Sequence, residues 1–282
     1  MLPIITGLSI QLAYEEQIMK CSLITIDISL PRDLGKEFPG SVFRGWLGNT
    51  LRCDITAECT EECTNHARCP YYMVFKERID VKPYSLLSVP YKGGIRNFIK
   101  IYGDRRKFAP RILTLIHEHT QSRHFGTMPF RIEHMEARTI EMPAMQTGDT
   151  TEVVFVSPTH IREDTKQELL PELSILIKSS VRSYNRITKY YDMKNYPCRI
   201  PDDMLGMDAE ILDYDIRTVK IVHENMFDKK IVLEGIVGSI SYDTSAVHPD
   251  VGNVLKMGEF LQIGKHSTYG FGGMVVKHGG VV

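Results

Sequence analysis

Residues 258–276 read GEFLQIGKHSTYGFGGMVV, a glycine-rich segment that ends in a short run of β-forming residues. Four glycines fall within ten positions here, with Lys265 and His266 among them. Glycine is favoured where the backbone turns with positive φ or approaches another group closely. The pattern predicts a tight loop that leads into a terminal strand. An ordinary connection before that strand would also explain the glycines, because a glycine cluster alone is a weak signal.

The residue types in this loop suit a phosphodiester ligand. Backbone amides and the Lys265 ammonium can bind phosphates, and Tyr269 and Phe271 can stack on bases. Gly264, Gly270 and Gly272 would let such a ligand approach the backbone. A nucleotide-binding P-loop is excluded, since five residues separate Gly258 from Gly264 and a histidine follows the lysine.

Composition limits the class of protein. The chain has 282 residues, enough for one large domain or two of ordinary size, and its 43% apolar content can build a sizeable core. The net charge of −1 and pI of about 6.8 argue against a globally basic nucleic-acid binder, so any such binding needs local patches. No apolar run approaches the roughly 20 residues that cross a bilayer. Without a secretory signal at the N-terminus, we expect a cytoplasmic protein and no membrane partner.

Periodicity predicts an α+β protein with two similar halves. Residues 73–89 are expected to form strand and loop. The strands are expected at 21–30, 97–102, 130–137, 151–156, 212–223, 230–242 and 274–276. The helices are expected at 41–52, with Ser41 as N-cap, and at 108–119, 169–191 and 251–261. Residues 141–150 hold Pro, Gly and small polar residues and are the candidate linker. The domains would therefore span 1–143 and 150–282.

Four cysteines cluster with the spacing C-x5-C-x3-C-x5-C: Cys53, Cys59, Cys63 and Cys69. Four thiolates at this spacing can surround one tetrahedral structural zinc, and His66 could replace one of them. Standard zinc ribbons use C-x2-C pairs instead, so the spacing also admits unligated structural thiols or an iron–sulfur cluster. Six cysteines in the whole chain are too few for a disulfide scaffold.

Two basic stripes are the candidate RNA-binding surfaces. The first includes Lys92, Arg96, Lys100, Arg105, Arg106 and Lys107, with aromatic residues interleaved. The second lies on the predicted long helix, where spacings of four, four and three put the cations on one face: Lys178, Arg182, Arg186 and Lys189. A charged helix face is usually only solvated, but two such stripes in a nearly neutral chain favour nucleic-acid contact.

Several sequence blocks resemble one known family. They are FPGSVFRGWLGNTLRC at 38–53, CPYYMVF at 69–75, FVSP at 155–158, GIVGSISY at 235–242 and GKHSTYGFG at 264–272. In this order they are similar to the CRISPR-associated endoribonucleases that process precursor crRNA, the "Cas six" proteins of the RAMP superfamily. The resemblance implies two tandem ferredoxin-like domains and binding of CRISPR repeat RNA, with other Cas proteins of an effector complex as further partners.

The resemblance also implies a reaction. The ribose 2′-OH attacks the adjacent phosphate without a metal cofactor and leaves a 2′,3′-cyclic phosphate and a 5′-OH. That step needs a base, an acid and a cation near the phosphorus.

Catalytic residues vary within the family, and this chain has Arg44 and Asn49 where some members have a histidine. We expect His266 to act as base or acid, Lys265 and Arg44 to stabilise phosphate charge, and Arg52 and Tyr269 to assist. His266 could instead only bind RNA.

Two other functions fit parts of the pattern. A non-catalytic RAMP subunit would hold guide RNA and yield no product. A zinc-stabilised DNA-binding protein would prefer duplex DNA over structured RNA.

Overall fold

The structure is a computed structural model in which both halves of the chain can be followed. It describes residues 19–32, 38–52, 59, 63–77, 79–118, 124–125, 128–164, 166–195, 197–199, 204, 209–224 and 230–279.

The described residues of the first half form six strands and two α-helices. In chain order they are β1 (Lys20–Ser29), α1 (Pro39–Thr50), β2 (Tyr84–Tyr91), β3 (Gly94–Tyr102), α2 (Ala109–Glu118), β4 (His124–Phe125), β5 (Met128–Pro129) and β6 (Arg131–Glu141). A π-helical turn, Tyr71–Lys76, precedes β2, where the sequence pattern predicted strand and loop.

The second half repeats this composition. Its elements are β7 (Thr150–Thr159), β8 (Arg162–Glu163), β9 (Lys166–Gln167), α3 (Leu173–Tyr191), β10 (Ile211–Glu224), β11 (Lys230–Asp243), α4 (Val251–Leu261) and β12 (Met274–Gly279). None of the helices in the described ranges is long and apolar enough to cross a lipid bilayer.

Two four-stranded antiparallel sheets share one connectivity. The first has the order β2-β3-β1-β6 and the second the order β10-β11-β7-β12. If the two-residue strands are set aside, each half runs β-α-β-β-α-β, and its first strand lies beside its third and fourth. The expected α+β class is therefore confirmed.

Separate hydrophobic clusters support the two sheets. The apolar face of β1 packs against both helices of the first half, and the buried residues include Ile24, Ile26, Phe43, Leu47, Ile112 and Ile116. In the second half, α3 and α4 cover one face of the sheet. That larger cluster also takes in Cys21, Val81 and Tyr102 from the first half.

Polar contacts join the halves at the C-terminal end of α4. The Gln262 side chain donates from Nε2 to the carbonyl oxygens of Leu86 (2.8 Å) and Phe271 (2.7 Å). The Lys100 ammonium donates to the carbonyl oxygen of Phe260 at 2.6 Å. Both contacts lie at the C-terminal end of α4, so this helix end is fixed against the first sheet.

Two helix starts differ from the sequence prediction. Helix α1 begins at Pro39, after the extended Phe38, so Ser41 lies in the first turn and is not the N-cap. Helix α3 begins at Leu173 because Pro171 precedes it in a non-helical segment, whereas the periodicity placed the start at residue 169.

Candidate functional site

The glycine-rich loop lies between α4 and β12 and contains a short 3-10 turn, Ser267–Tyr269. Gly264, Gly270 and Gly272 have φ values of 75°, 92° and 80°. Several loop amides already donate within the protein: Lys265 to the carbonyl of His160 (3.0 Å) and Gly272 to that of Pro158 (2.9 Å). The amides of residues 269–271 also donate to carbonyls of the loop. These amides are therefore not available to cradle phosphates, contrary to the sequence interpretation.

The loop meets the N-terminal end of α1. A Cβ built on Gly40 would lie 2.4 Å from the Tyr269 carbonyl oxygen, so only glycine fits there. Phe38 packs edge-on against Phe271, with ring centroids 5.3 Å apart. The FPG block and the glycine-rich loop, which are more than 200 residues apart in sequence, thus form one surface.

Arg44 lies at the centre of that surface. Its guanidinium carbon is 4.3 Å from the centroid of the Tyr269 ring. Among the described residues, its buried Nε has no hydrogen-bond partner, and no carboxylate forms an ion pair with Arg44. A cation in this state can neutralise a phosphate, since no protein anion already does so.

Lys82 and Tyr84 also lie near Arg44. Burial raises the pKa of Tyr84 to about 12, an effect that the nearby Arg44 partly offsets. Burial and then Arg44 lower the pKa of Lys82, whose Nζ donates to the Glu77 carbonyl at 2.5 Å. Neither residue carried a sequence signal, because both depend on β2 packing against α1.

His223 reaches the same surface from the end of β10. Its ring centroid is 4.9 Å from that of Tyr269, and its Nδ1 is 2.5 Å from Ser41 Oγ. Burial, followed by the charge of Arg44, lowers the pKa of His223. Sequence analysis did not select this histidine among the ten, since nothing near it in the sequence marks it; the strand register alone brings it here.

His266 also lies near Tyr269. It adopts a left-handed conformation, with φ of 67°, and its ring centroid is 6.4 Å from Tyr269 and 5.8 Å from Phe271. Burial lowers its pKa most, followed by the charges of His160, Lys265 and Arg162. Lys265 itself is exposed at the edge of the loop.

Both ring nitrogens of the neighbouring His160 are engaged in hydrogen bonds. Its Nδ1 donates to the Glu234 carbonyl at 2.7 Å, and its Nε2 accepts from Arg162 Nε at 2.9 Å. With both ring nitrogens engaged, His160 serves to position the loop and is not available for proton transfer.

The Tyr269 cluster is the group of five residues described above: Ser41, Arg44, His223, His266 and Tyr269. An adjacent cleft of about 640 Å³ lies between the start of α1 and the second sheet. Phe38, Pro158, Arg217, Lys220 and Ile221 are among its lining residues. Ile221 precedes His223 by two positions on β10, so the cleft opens beside the cluster on the same face of that strand.

Much of the first basic stripe is engaged in the fold. Arg96 pairs with Asp27 through two hydrogen bonds of 2.6 and 2.7 Å. Arg105 bonds both Glu77 carboxylate oxygens, and Arg106 Nε donates to the Gly103 carbonyl. Lys100 binds the end of α4, and burial lowers its pKa. Lys92 and Lys107 remain exposed, as does Arg52 at the end of α1.

The second stripe is divided in the same way. Lys178 and Arg182 both reach Glu163, at 2.9 and 3.4 Å. Arg186 and Lys189 are exposed one turn further along α3, and no ion pair within the described residues involves them. The outer half of this helix therefore carries the less neutralised charge.

The cysteine cluster is described only in part, because Cys53 lies outside the described residues. Among those that are described, no group of three or more His, Cys, Asp or Glu side chains is placed to hold a metal ion. Cys69 Sγ instead accepts from the Tyr72 amide at 3.5 Å, and His66 stacks on Tyr72 at 3.5 Å between centroids. The expected zinc site is not supported in this part of the chain.

The Tyr269 cluster can carry out proton transfer beside a cation. Two half-buried imidazoles with lowered pKa values lie near one tyrosine ring, and an arginine lies over that ring. Imidazole is the usual side chain for proton transfer near neutral pH. The arrangement suits attack at a phosphate, where negative charge increases in the transition state.

Comparisons with known proteins give a family-model match and several structures of similar fold. Residues 153–274 match the family model described as CRISPR-associated endoribonuclease Cas6. Thermus thermophilus Cas6 (TTHB231) matches with a TM-score of 0.60 at 14% identity, over 93% of this chain and 99% of that chain. A Cas6 (TTHA0078) product complex matches with a TM-score of 0.59 at 15% identity, over 92% and 100% of the two chains.

A chain of a partial Cas6-RT-Cas1–Cas2 complex also matches, with a TM-score of 0.54 at 10% identity, over 93% of this chain and 46% of that chain. Comparison with curated protein sequences finds no match. At such identities the structural likeness shows a shared fold, and the family model covers β7, both large helices of the second half and the glycine-rich loop. Residues 153–274 thus match the Cas6 family model, and the chain shares its fold with solved Cas6 structures.

Proposed function

We propose that this chain binds CRISPR repeat RNA and cleaves precursor crRNA once per repeat. The 2′-OH would attack the neighbouring phosphate, which leaves a 2′,3′-cyclic phosphate and a 5′-OH. This chemistry would explain a preference for RNA, because DNA lacks the nucleophile. The observation that carries the proposal is the position of Arg44, a cation without a carboxylate partner among the described residues. It lies over a tyrosine ring that is also near two histidines.

The proposed roles follow the position of each group. Arg44 and Lys265 would stabilise charge on the phosphorane, and Tyr269 would hold the Arg44 guanidinium in place by stacking. His266 would exchange a proton with a reacting oxygen, as base or as acid. Arg52, exposed at the end of α1, would assist by contact with a flanking phosphate.

We propose that RNA reaches the Tyr269 cluster along the adjacent cleft. Arg217 and Lys220 line it, and the apolar Phe38 and Ile221 offer surface for bases. Lys92, Lys107, Arg186 and Lys189 would contact phosphates further away. Arg96, Arg105, Arg106, Lys178 and Arg182 would contribute less because they already bond protein groups, and Lys100 leaves the proposed RNA-binding set.

The finer fold assignment belongs to the same proposal. Two β-α-β-β-α-β units with one strand order support tandem ferredoxin-like domains, with boundaries at 1–143 and 150–282. Residues 142–149 have no regular secondary structure, which is consistent with a linker. Other Cas proteins are proposed partners, since one structural match comes from a complex that contains Cas1 and Cas2. We propose a cytoplasmic location.

No metal is assigned to the cleavage step, as the family resemblance implies. A structural zinc on Cys53, Cys59, Cys63 and Cys69 stays a separate prediction. Metal analysis of protein purified without added zinc checks it: one equivalent per chain would support the site, and much less than one would refute it.

The test of function is cleavage of the repeat RNA of the neighbouring CRISPR array in EDTA. Wild type should cut once per repeat and leave a cyclic phosphate, and an RNA with 2′-deoxyribose at the cut site should stay intact. His266→Ala should bind the RNA and cut it slowly. Cleavage of the deoxy substrate would refute the mechanism. Tight binding by wild type without any product would indicate a non-catalytic RNA-binding subunit.

A further inference from the structure

We infer that His223, at the end of β10, is the general base that takes the proton from the attacking 2′-OH. This inference rests on the proposed function and assigns a role that the sequence did not suggest. It depends on a contact between distant parts of the chain: His223 Nδ1 lies 2.5 Å from Ser41 Oγ on α1.

The contact with Ser41 fixes one ring nitrogen. When Nδ1 carries the proton and donates it to Ser41 Oγ, Nε2 is unprotonated and can accept a proton. The tyrosine ring that carries Arg44 lies 4.9 Å from the imidazole, centroid to centroid. A phosphate bound to Arg44 would therefore have His223 close to its ribose. Ser41 acts here as a positioning residue, in the way that a second group orients a catalytic histidine in other hydrolases.

The groups around His223 favour its neutral form, which can accept a proton. The charged and titratable groups that face it, among those described, are Arg44 on α1 and Tyr269 in the glycine-rich loop. Partial burial and the fixed charge of Arg44 both lower its pKa, so the neutral imidazole dominates near pH 7. A general base must be neutral before it can act.

Each proton that moves in this step has a donor and an acceptor. His223 Nε2 takes the 2′-OH proton while the 2′-oxygen bonds to phosphorus. The bond between phosphorus and the 5′-oxygen breaks, and that oxygen takes a proton from the protonated form of His266, which is a minor fraction near pH 7 because the pKa of His266 is lowered. The products are the cyclic phosphate, the 5′-OH, a protonated His223 and a neutral His266. Exchange of protons with water then restores both residues.

The experiment compares single-turnover cleavage by wild type, His223→Ala and Ser41→Ala, with the exposed His117→Ala on α2 as matched control. Loss of a general base should slow His223→Ala by at least about 100-fold while RNA affinity stays within a few-fold. Added imidazole should restore part of the rate, because it can replace the missing base. The cleavage rate of Ser41→Ala should be about 10-fold lower than that of wild type, because only the orientation of His223 is lost. The low-pH limb of its pH–rate profile should also move.

Two readouts separate this role from a structural one. A purely structural clamp would lower thermal stability and gain nothing from imidazole. An RNA with sulfur in place of the 5′-bridging oxygen needs no acid, so His223→Ala should stay slow on it; recovery would overturn the base assignment. A wild-type rate in His223→Ala would refute the inference and leave the proposed function standing. Failure of wild type to cleave would refute the proposed function itself.

Discussion

The carbonyl oxygen of Tyr269 lies so close to the backbone of Gly40 that a Cβ at residue 40 would be 2.4 Å away from it. Real Cβ atoms do not approach an oxygen this closely, and the Tyr269 carbonyl belongs to backbone that cannot rotate away. The first turn of α1 and the glycine-rich loop are thus in direct contact through one glycine. The contact between Arg44 and Tyr269 joins the same two elements.

Gly40→Ala should therefore separate α1 from the loop. We expect a loss of about 1–3 kcal/mol in the free energy of unfolding, as for other overpacked sites, and a large loss of cleavage because Arg44 and Tyr269 move apart. Gly45→Ala, on the same helix, is the matched control, since a Cβ there meets no atom within 4 Å. The free energy of unfolding of Gly45→Ala should rise by about 0.5–1 kcal/mol, because alanine has the higher helix propensity. Urea unfolding of both variants checks this; equal stability in the two would disprove the close contact.

Arg44 should matter more for the reaction rate than for stability. Arg44→Ala removes the cation that would face the phosphorane, and we expect cleavage to fall by about 100-fold, as for loss of one charge-stabilising donor elsewhere. Arg44→Lys keeps the charge but not the planar stacking on Tyr269, so its rate should be intermediate. Arg131→Ala, which removes an exposed arginine of β6, is the control for loss of one positive charge. Single-turnover rates measure all three, and a wild-type rate in Arg44→Ala would contradict the role.

Sequence analysis recovered the order and type of most elements because apolar periodicity is a local property. The strand expected at 21–30 is observed at Lys20–Ser29, and the helix expected at 251–261 is observed at Val251–Leu261. Where neighbouring proline decides the start of a helix, as at Pro39 and Pro171, the pattern was less informative. The π-helical turn Tyr71–Lys76 was missed, since its apolar residues fit a strand equally well.

The site was only partly accessible from sequence. The glycine-rich loop and the FPG block are local motifs, so Arg44, His266 and Tyr269 could be selected. His223 and Ser41 become neighbours only through the register of β10 and the packing of α1, which single-sequence patterns do not encode. The basic stripes show the same limit. A charge count does not reveal that Arg96, Arg105 and Lys100 already have protein partners.

Lys100 should be a structural residue. Its ammonium donates to the carbonyls of Phe260 (2.6 Å) and Glu259 (3.3 Å) at the C-terminal end of α4, where a cation is favoured. Lys100→Met leaves these carbonyls without a donor and should cost about 1–3 kcal/mol of unfolding free energy. RNA affinity should not change. Lys107→Ala, at an exposed position, should weaken RNA binding and leave the unfolding free energy unchanged. If Lys100→Met lost as much RNA affinity as Lys107→Ala, Lys100 would belong to the RNA-binding residues after all.

Stability should fall as the pH drops below about 6.5. The pKa values of His223 and His266 are lowered in the folded chain, so the unfolded chain binds more protons in this range. The unfolding free energy therefore rises with pH between the folded and the unfolded pKa values. The contribution of these histidines to stability is lost when the pH falls through that range. Urea unfolding between pH 7.5 and 5.5 should show a smaller drop for His223→Ala and for His266→Ala than for wild type. His117→Ala should keep the wild-type drop, and an unchanged drop in all variants would contradict the effect.

The outer half of α3 should contribute more to RNA binding than the inner half. Arg186 and Lys189 are exposed, and no ion pair of the described chain engages them, whereas Lys178 and Arg182 share Glu163. A phosphate must displace that carboxylate before it can bind the inner pair, which reduces the net gain. The double variant Arg186→Ala/Lys189→Ala should weaken repeat binding, and each lost phosphate contact should reduce the salt slope of log affinity by about 0.7. The matched variant Lys178→Ala/Arg182→Ala should change the slope less; the opposite ranking would place the RNA along the inner half of the helix.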